Sequence, residues 1–286
     1  MDVDTTYGFL PLEINFSGSS LVPADSWHWT FGDGASGDGQ NISHTYQERG
    51  LFDVAIEITS GETVMPRIRR NYIAVLADTL IAPTVKVVGE ATAMVEVYAT
   101  NSIPLNELRI PVEYQGALSL KFDSVSTDGC RTVQFDNLDV ISLDEINRRL
   151  CVRIKNNYNS TAPNLEAGDG VVLRLYFTIN NPQPGFVNPI IIDGYSSYLP
   201  LFTGPYAVYN PVNMAGGISL AFCGDCDNSG MVNILDVTYL VGYLYKGGPE
   251  PNPTEIGDAD GSGILNILDV TFLINYLYKS GPQPRY

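Results

Sequence analysis

Hydrophobic and polar positions alternate with a period of two over most of this chain, and with a helical period only in the stretch 223–284. Ser26-Trp27-His28-Trp29-Thr30-Phe31 sets Trp27, Trp29 and Phe31 on one face of a strand, and Gly32-Asp33-Gly34 then turns the chain. Phe52 to Ile58 alternates again and Tyr72 to Leu76 supplies a last strand, so residues 5–77 read as a small antiparallel sandwich. Residues 83–220 are also strand-rich, at Val85–Val88, Met94–Tyr98, Leu118–Phe122, Leu150–Ile154 and Val171–Ile179, with Gly, Pro and Asn between them. Ser142-Leu143-Asp144-Glu145 has capping-box spacing, but Leu150–Ile154 alternates as a strand, so a turn is expected there. The period then changes. Val237, Leu240, Val241 and Leu244 fall at i, i+3, i+4 and i+7, as do Val270, Leu273, Ile274 and Leu277. Gly247-Gly248-Pro249 and Gly281-Pro282 are expected to stop these two helices.

The two helices belong to a repeat. Gly224-Asp225-Cys226-Asp227-Asn228-Ser229-Gly230 and Gly257-Asp258-Ala259-Asp260-Gly261-Ser262-Gly263 each run through a matching segment to Tyr-Leu-Tyr-Lys and a Gly-Pro-x-Pro tail. Oxygen-bearing side chains stand at loop positions 1, 3, 5, 9 and 12: Asp225, Asp227, Ser229, Asn233 and Asp236, then Asp258, Asp260, Ser262, Asn266 and Asp269. Met231 and Ile264 offer backbone carbonyls, and Gly230 and Gly263 stand at position 6. Calcium is a hard cation that takes roughly six to eight oxygens, so the chain must wrap around it, and glycine permits the sharp turn. An acidic turn capping a helix would explain one such loop. Two in register point to two calcium ions, one per loop.

These loops are each followed by a helix, but no helix enters the first loop, and position 12 is Asp rather than Glu. In this, residues 223–284 resemble a type I dockerin module. The resemblance implies a calcium-dependent plug that binds a cohesin domain, with the residue pairs Ile234-Leu235 and Ile267-Leu268 selecting the partner. Upstream, Trp29-Thr30-Phe31-Gly32-Asp33-Gly34, His44-Thr45-Tyr46 and Gly50 resemble a PKD domain, an Ig-like spacer or adhesion module without chemistry of its own. The middle region resembles a cohesin: Val87-Val88-Gly89-Glu90 before a Val-rich strand, Asn101 before Leu105, Tyr114 leading to Leu118-Ser119-Leu120, and Gly168-Asp169-Gly170 opening a long strand. The expected fold class is mostly β: two Ig-like β-sandwiches, at 1–78 and 79–221, then a small α-helical calcium-binding dockerin with two loop–helix repeats at 222–286. Ala77 to Pro83 reads as the linker between the sandwiches, and nothing Ser/Thr/Pro-rich separates the modules.

Composition narrows the function. A formal net charge of −16 argues against nucleic acid or an anionic membrane as partner. No apolar run is long enough to span a bilayer. Met1 leads into polar Asp2-Val3-Asp4 instead of a leader, which reads as a mature or trimmed form of an extracellular protein, secreted or at the cell surface. His28 and His44 have no nucleophile motif beside them, so both are expected to be structural and the chain non-catalytic. The four cysteines allow three pairings. An oxidising setting and a hairpin between them suggest a Cys130–Cys151 disulfide, while Cys223 and Cys226 flank the first calcium ligand without a counterpart in the second repeat. Asn15, Asn41 and Asn159 stand in glycosylation sequons.

The expected function is calcium-dependent assembly with a cohesin-type domain of another chain, including another copy of this chain, since one chain carries both plug and cohesin-like socket. The few residues between Ala221 and the first loop reach only roughly 10 Å, too short to carry the plug around to its own socket. Head-to-tail pairing would then propagate as a filament. The alternative is a carbohydrate-binding or adhesion protein anchored through the dockerin, with polysaccharide held by Tyr195, Tyr198, Phe202, Tyr206 and Tyr209; these rings are expected instead to cover the sandwich core.

Overall fold

The computed structural model describes residues 1–88, 92–116, 119–180 and 187–284. Gly89, Glu90 and Leu118, which entered the sequence reading, lie outside them. Strands Asp2–Val3, Leu12–Ser17 and Asn41–Tyr46 form one sheet of the first sandwich. Tyr7–Phe9, Thr63–Leu76, Gly50–Ser60, Ser26–Thr30 and Ser36–Asp38 form the other, in that order. The period-two pattern decides the packing: Trp29, Phe31, Val54 and Ile56 are fully buried against Ile14, Phe16 and Tyr46, and Trp27 packs at the edge of the same core. Gly32 has φ +87°, and a Cβ there would sit 2.4 Å from the carbonyl oxygen of Asp53, so no other residue fits this turn. His44 is tied into the sandwich by two contacts. Its Nε2 is 2.6 Å from Asp33 Oδ2, and its ring stacks on Phe31 with centroids 4.2 Å apart.

The second sandwich packs the sheet Ser119–Ser126, Gly168–Asn180, Thr92–Asn101, Thr79–Ile81, Val212–Met214 against the sheet Asn137–Asp144, Arg149–Lys155, Glu107–Glu113, Leu201–Thr203, Val208–Tyr209. Inward-facing Val95, Val97, Leu108, Ile110, Val112, Val152, Leu173 and Leu175 are fully buried between them. The segment read as a linker is not one: Thr79–Ile81 pairs with Tyr98–Thr100 and with Val212–Met214. Ala74 and Leu76, at the end of the first sandwich, are buried in the core of the second. The boundary is sealed by Asp78, whose buried carboxylate accepts hydrogen bonds from Ser102 N at 2.8 Å, from the Ser102 hydroxyl and from the Tyr209 hydroxyl. Asn71 Nδ2 donates to the Tyr206 hydroxyl at 2.9 Å, and Phe9 meets Tyr209 edge-on. Ser142 and Asp144 lie on a strand, and the expected turn follows it at 145–148.

The Cys130–Cys151 disulfide is not formed; all four cysteines are buried and none is in a disulfide. The hairpin exists, but it pairs Asn137–Asp144 with Arg149–Lys155 and sets Ser142 across from Cys151. Cys130 precedes that hairpin, in a turn where its N–H donates to Thr127 O. Its thiol feels the charge of Arg174 on the other sheet, whereas Cys151, paired with Pro111 and Ser142, feels Arg109 and Arg153.

Thr84–Val88 runs parallel to Gly216–Ala221, which pairs with Val187–Ile190 on its other side. This register brings Ala221 level with Val88, so the chain enters the repeat region beside Lys86. Lys86 Nζ donates to Asn228 Oδ1 at 3.3 Å and to Asn252 O at 3.0 Å. The repeat region consists of helices α1 (Ile234–Lys246) and α2 (Ile267–Lys279) with a short 3₁₀ turn, Thr254–Gly257, between them. Its core is Val237, Leu240, Val270 and Leu273 from the helices plus Cys226 and Ala259 from the loops.

Candidate metal centre and interaction surface

Each loop is built outward from its first and last aspartates. Asp225 Oδ1 accepts from Ser229 N at 2.9 Å and Oδ2 accepts from Gly230 N at 2.9 Å, and Asp258 repeats this with Ser262 N at 3.0 Å and Gly263 N at 2.7 Å. The turn that allows it needs the left-handed backbone at Gly230, φ +85°, and Gly263, φ +79°. At the far end, Asp236 accepts from Asp227 N at 3.1 Å and from Asn233 N at 2.7 Å. Asp269 does the same with Asp260 N at 3.2 Å and Asn266 N at 2.8 Å. One carboxylate thus closes the loop and completes the capping box of the helix that follows it.

The result is two clusters of carboxylate oxygens. In Asp225–Asp227–Asp236 and in Asp258–Asp260–Asp269, one oxygen from each residue lies within 4.8 Å of the others. Asp236 and Asp269 are fully buried. Burial raises the Asp236 carboxyl to about 6 and moves Asp225 and Asp269 in the same direction, as expected for anions held together out of water. Asp260 goes the other way, lowered by the hydroxyl of Ser262. The carbonyls of Met231 and Ile264 are drawn in by Ser229 Oγ at 3.3 Å and Ser262 Oγ at 3.4 Å. This donor set is all oxygen, convergent and anionic, and it fits a hard divalent cation.

Asn233 and Asn266, at position 9 of each loop, also act as helix caps. Their Oδ1 atoms accept from Leu235 N at 2.8 Å and Leu268 N at 2.7 Å, and their amides donate to Met231 O at 3.1 Å and Ile264 O at 3.0 Å. They cap the helices and orient the two carbonyls. Cys226 and Ala259 occupy the same loop position and both are buried in the helical core, so Cys226 is a small core residue. Burial raises the Cys223 thiol to about 12, and its Sγ lies 3.1 Å from Asp258 O.

The four apolar residues before the last aspartates face solvent. Ile234 and Ile267 are each 45% exposed, Leu235 58% and Leu268 56%. Met231 and Ile264 extend each pair, and Tyr245 and Tyr278 are exposed at the helix ends. These pairs are therefore not packed inside their own module.

A type I dockerin domain matches residues 223–278. Dockerin domains of this type bind Ca²⁺, and the paired aspartate clusters lie inside the matched dockerin segment. A PKD domain matches residues 9–72. No curated protein matches the chain. Among solved structures, about half of the chain is similar to cohesins. The sixth cohesin of Acetivibrio cellulolyticus scaffoldin B, solved with a dockerin, is 18% identical over 51% of this chain and 99% of its own, with a TM-score of 0.41. A type I cohesin from Clostridium thermocellum, also in complex with a dockerin, is 15% identical over 51% and 99%, TM-score 0.40. A non-cellulosomal cohesin from Archaeoglobus fulgidus is 14% identical over 50% and 91%, TM-score 0.36.

The tyrosine-rich stretch offered for polysaccharide is mostly structural: Phe202 and Tyr209 are core residues, and Tyr206 holds Asn71.

Proposed function

We propose that this chain is a non-catalytic, extracellular assembly protein whose dockerin plugs into a cohesin-type domain once two calcium ions organise its loops. Asp225, Asp227, Ser229, the carbonyl of Met231, Asn233 and Asp236 would hold one ion, and Asp258, Asp260, Ser262, the carbonyl of Ile264, Asn266 and Asp269 the other. Bound calcium would neutralise carboxylates that otherwise repel and fix the start of each helix. The observation that carries the reading is the exposure of Ile234-Leu235 and Ile267-Leu268 directly beside those loops. Large apolar side chains left in water at a rigid helix start mark a contact surface.

The socket can be a second copy of the chain, with residues 79–221 as its cohesin-like part. In support, the dockerin follows the sandwich after only Phe222 and is held beside Lys86, so its apolar pairs are free to meet a neighbour. Sedimentation velocity of the pure chain with calcium and with chelator tests this. Concentration-dependent association that needs calcium is expected, and Leu235→Asp with Leu268→Asp should abolish it while calcium still binds. A calcium-loaded chain that stays monomeric at high concentration would contradict self-pairing. Association that survives the double substitution would move the contact surface elsewhere.

A further inference from the structure

Two adjoining cavities of about 470 and 410 Å³ open at one end of the second sandwich and share Asn164 as a common wall. Both are of the size that holds a small ligand. They lie in loops that neither the calcium sites nor the apolar pairs use. The first is walled by Asn106, Glu107, Lys155, Asn156 and Asn157, and Tyr158 lines it as a fully exposed residue.

The chemistry of the walls selects among ligands. Asn156 Nδ2 donates to Ala162 O and Pro163 O, which leaves its buried Oδ1 without a hydrogen-bond partner. A buried acceptor of this kind is unfavourable unless something donates to it. Asn157 Oδ1 accepts from Asn137, so its Nδ2 remains for a ligand. Arg131, in the second cavity, is already spent on Ala99 O, Asn101 Oδ1 and Glu166 O. With that guanidinium occupied, Lys155 set across from Glu107 in strand register, and Glu166 and Asp169 on the walls, the groove offers no excess positive charge to phosphates or other polyanions. What remains is a row of amides that donate and accept, with one flat ring standing free. That combination suits a neutral polyol whose hydroxyls do both and whose C–H face stacks on an aromatic ring.

We propose that this groove binds a neutral oligosaccharide chain, with Tyr158 as its stacking platform and Asn156, Asn157 and Asn164 reading its hydroxyls. This would give the chain a carbohydrate contact independent of its dockerin. The test is titration of the full chain with soluble neutral glucan, xylan and mannan oligosaccharides, followed by calorimetry and by amide chemical shifts. The expected result is saturable binding to at least one of them, with shifts confined to 106–107 and 155–164. Tyr158→Ala should weaken it about tenfold. That side chain is fully solvent-exposed, so the variant keeps its fold, which unchanged calcium titration verifies. Asn164→Ala should weaken binding as well, at the wall shared by the two cavities. Absence of binding to every neutral oligosaccharide at millimolar concentration would overturn the proposal. So would binding that Tyr158→Ala leaves unchanged, or a preference for inorganic phosphate or an acidic peptide.

Discussion

At the scale of single residues, the calcium role proposed for Asp236 predicts a dependence on pH. Burial lifts its carboxyl to about 6 from an ordinary 3.8. In the calcium-free protein the neutral acid is the form that the fold favours, so its contribution to stability is present below about pH 3.8 and lost as pH rises through about 6. The metal needs the carboxylate, so the dependence of binding has the opposite sign: affinity rises with pH through the same window. Calcium titrations should find the first loop about tenfold weaker at about pH 5 than at about pH 7. A pH-independent affinity would contradict the role given to Asp236. The cysteines yield a second expectation. Burial raises the Cys151 thiol to about 11 and Cys223 to about 12, and Cys226 moves the same way. All four should alkylate slowly in the folded, calcium-loaded chain and fully once it is unfolded without reductant. Any closed disulfide in the mass spectrum would contradict the arrangement.

At the scale of elements, the two repeats test each other. Helix α1 ends at Gly247 with φ +66°, but the matching residue after α2 is Ser280 with φ +55°. A non-glycine residue in the left-handed region costs about 1–2 kcal/mol, and glycine gives back about 0.4–1 kcal/mol through the freedom of the unfolded chain. The first effect wins, so Ser280→Gly should stabilise the module by about 0.5 kcal/mol, read as a higher midpoint of thermal unfolding in calcium. This detail shows what the sequence made legible and what it did not. The Gly281-Pro282 pair signals that a helix ends, but the hydrogen bond from the Ser280 N–H to Asn275 O decides which residue caps it. The periodicities located Trp29, Val54, Leu240 and Leu273 in their cores because each is a local pattern on a strand or helix. The aspartate spacing located both oxygen clusters for the same reason. Thr79–Ile81 was hidden because its partners, Tyr98–Thr100 and Val212–Met214, are remote in sequence and its three residues carry no period. The cysteine pairing failed because Cys130 lies in a turn before the hairpin, and Ser142, not Cys130, stands across from Cys151. Asn233 and Asn266 stand at ligand spacing, and the backbone geometry adds that they cap the helices.

At the scale of the whole molecule, the modules are joined by built contacts rather than tethers. Asp78 seals the first joint, and Lys86 spans the second, from the sandwich edge to Asn228 and Asn252. Lys86→Met should therefore leave the fold of every module intact but loosen the dockerin, seen as an increased radius of gyration in solution scattering with calcium present. An unchanged scattering curve would show that Lys86 does not hold the joint. The same fixed placement presents Ile234-Leu235 and Ile267-Leu268 outward, which is what a plug for another chain requires. All of this rests on the loops holding metal. Calorimetric titration of the full chain with calcium, run alongside circular dichroism in chelator, tests that most directly. Two equivalents of bound calcium are predicted, together with a gain of helix from α1 and α2 that Asp225→Ala with Asp258→Ala abolishes. One equivalent or none, or a helical signal unchanged by chelator and by those substitutions, would contradict the account.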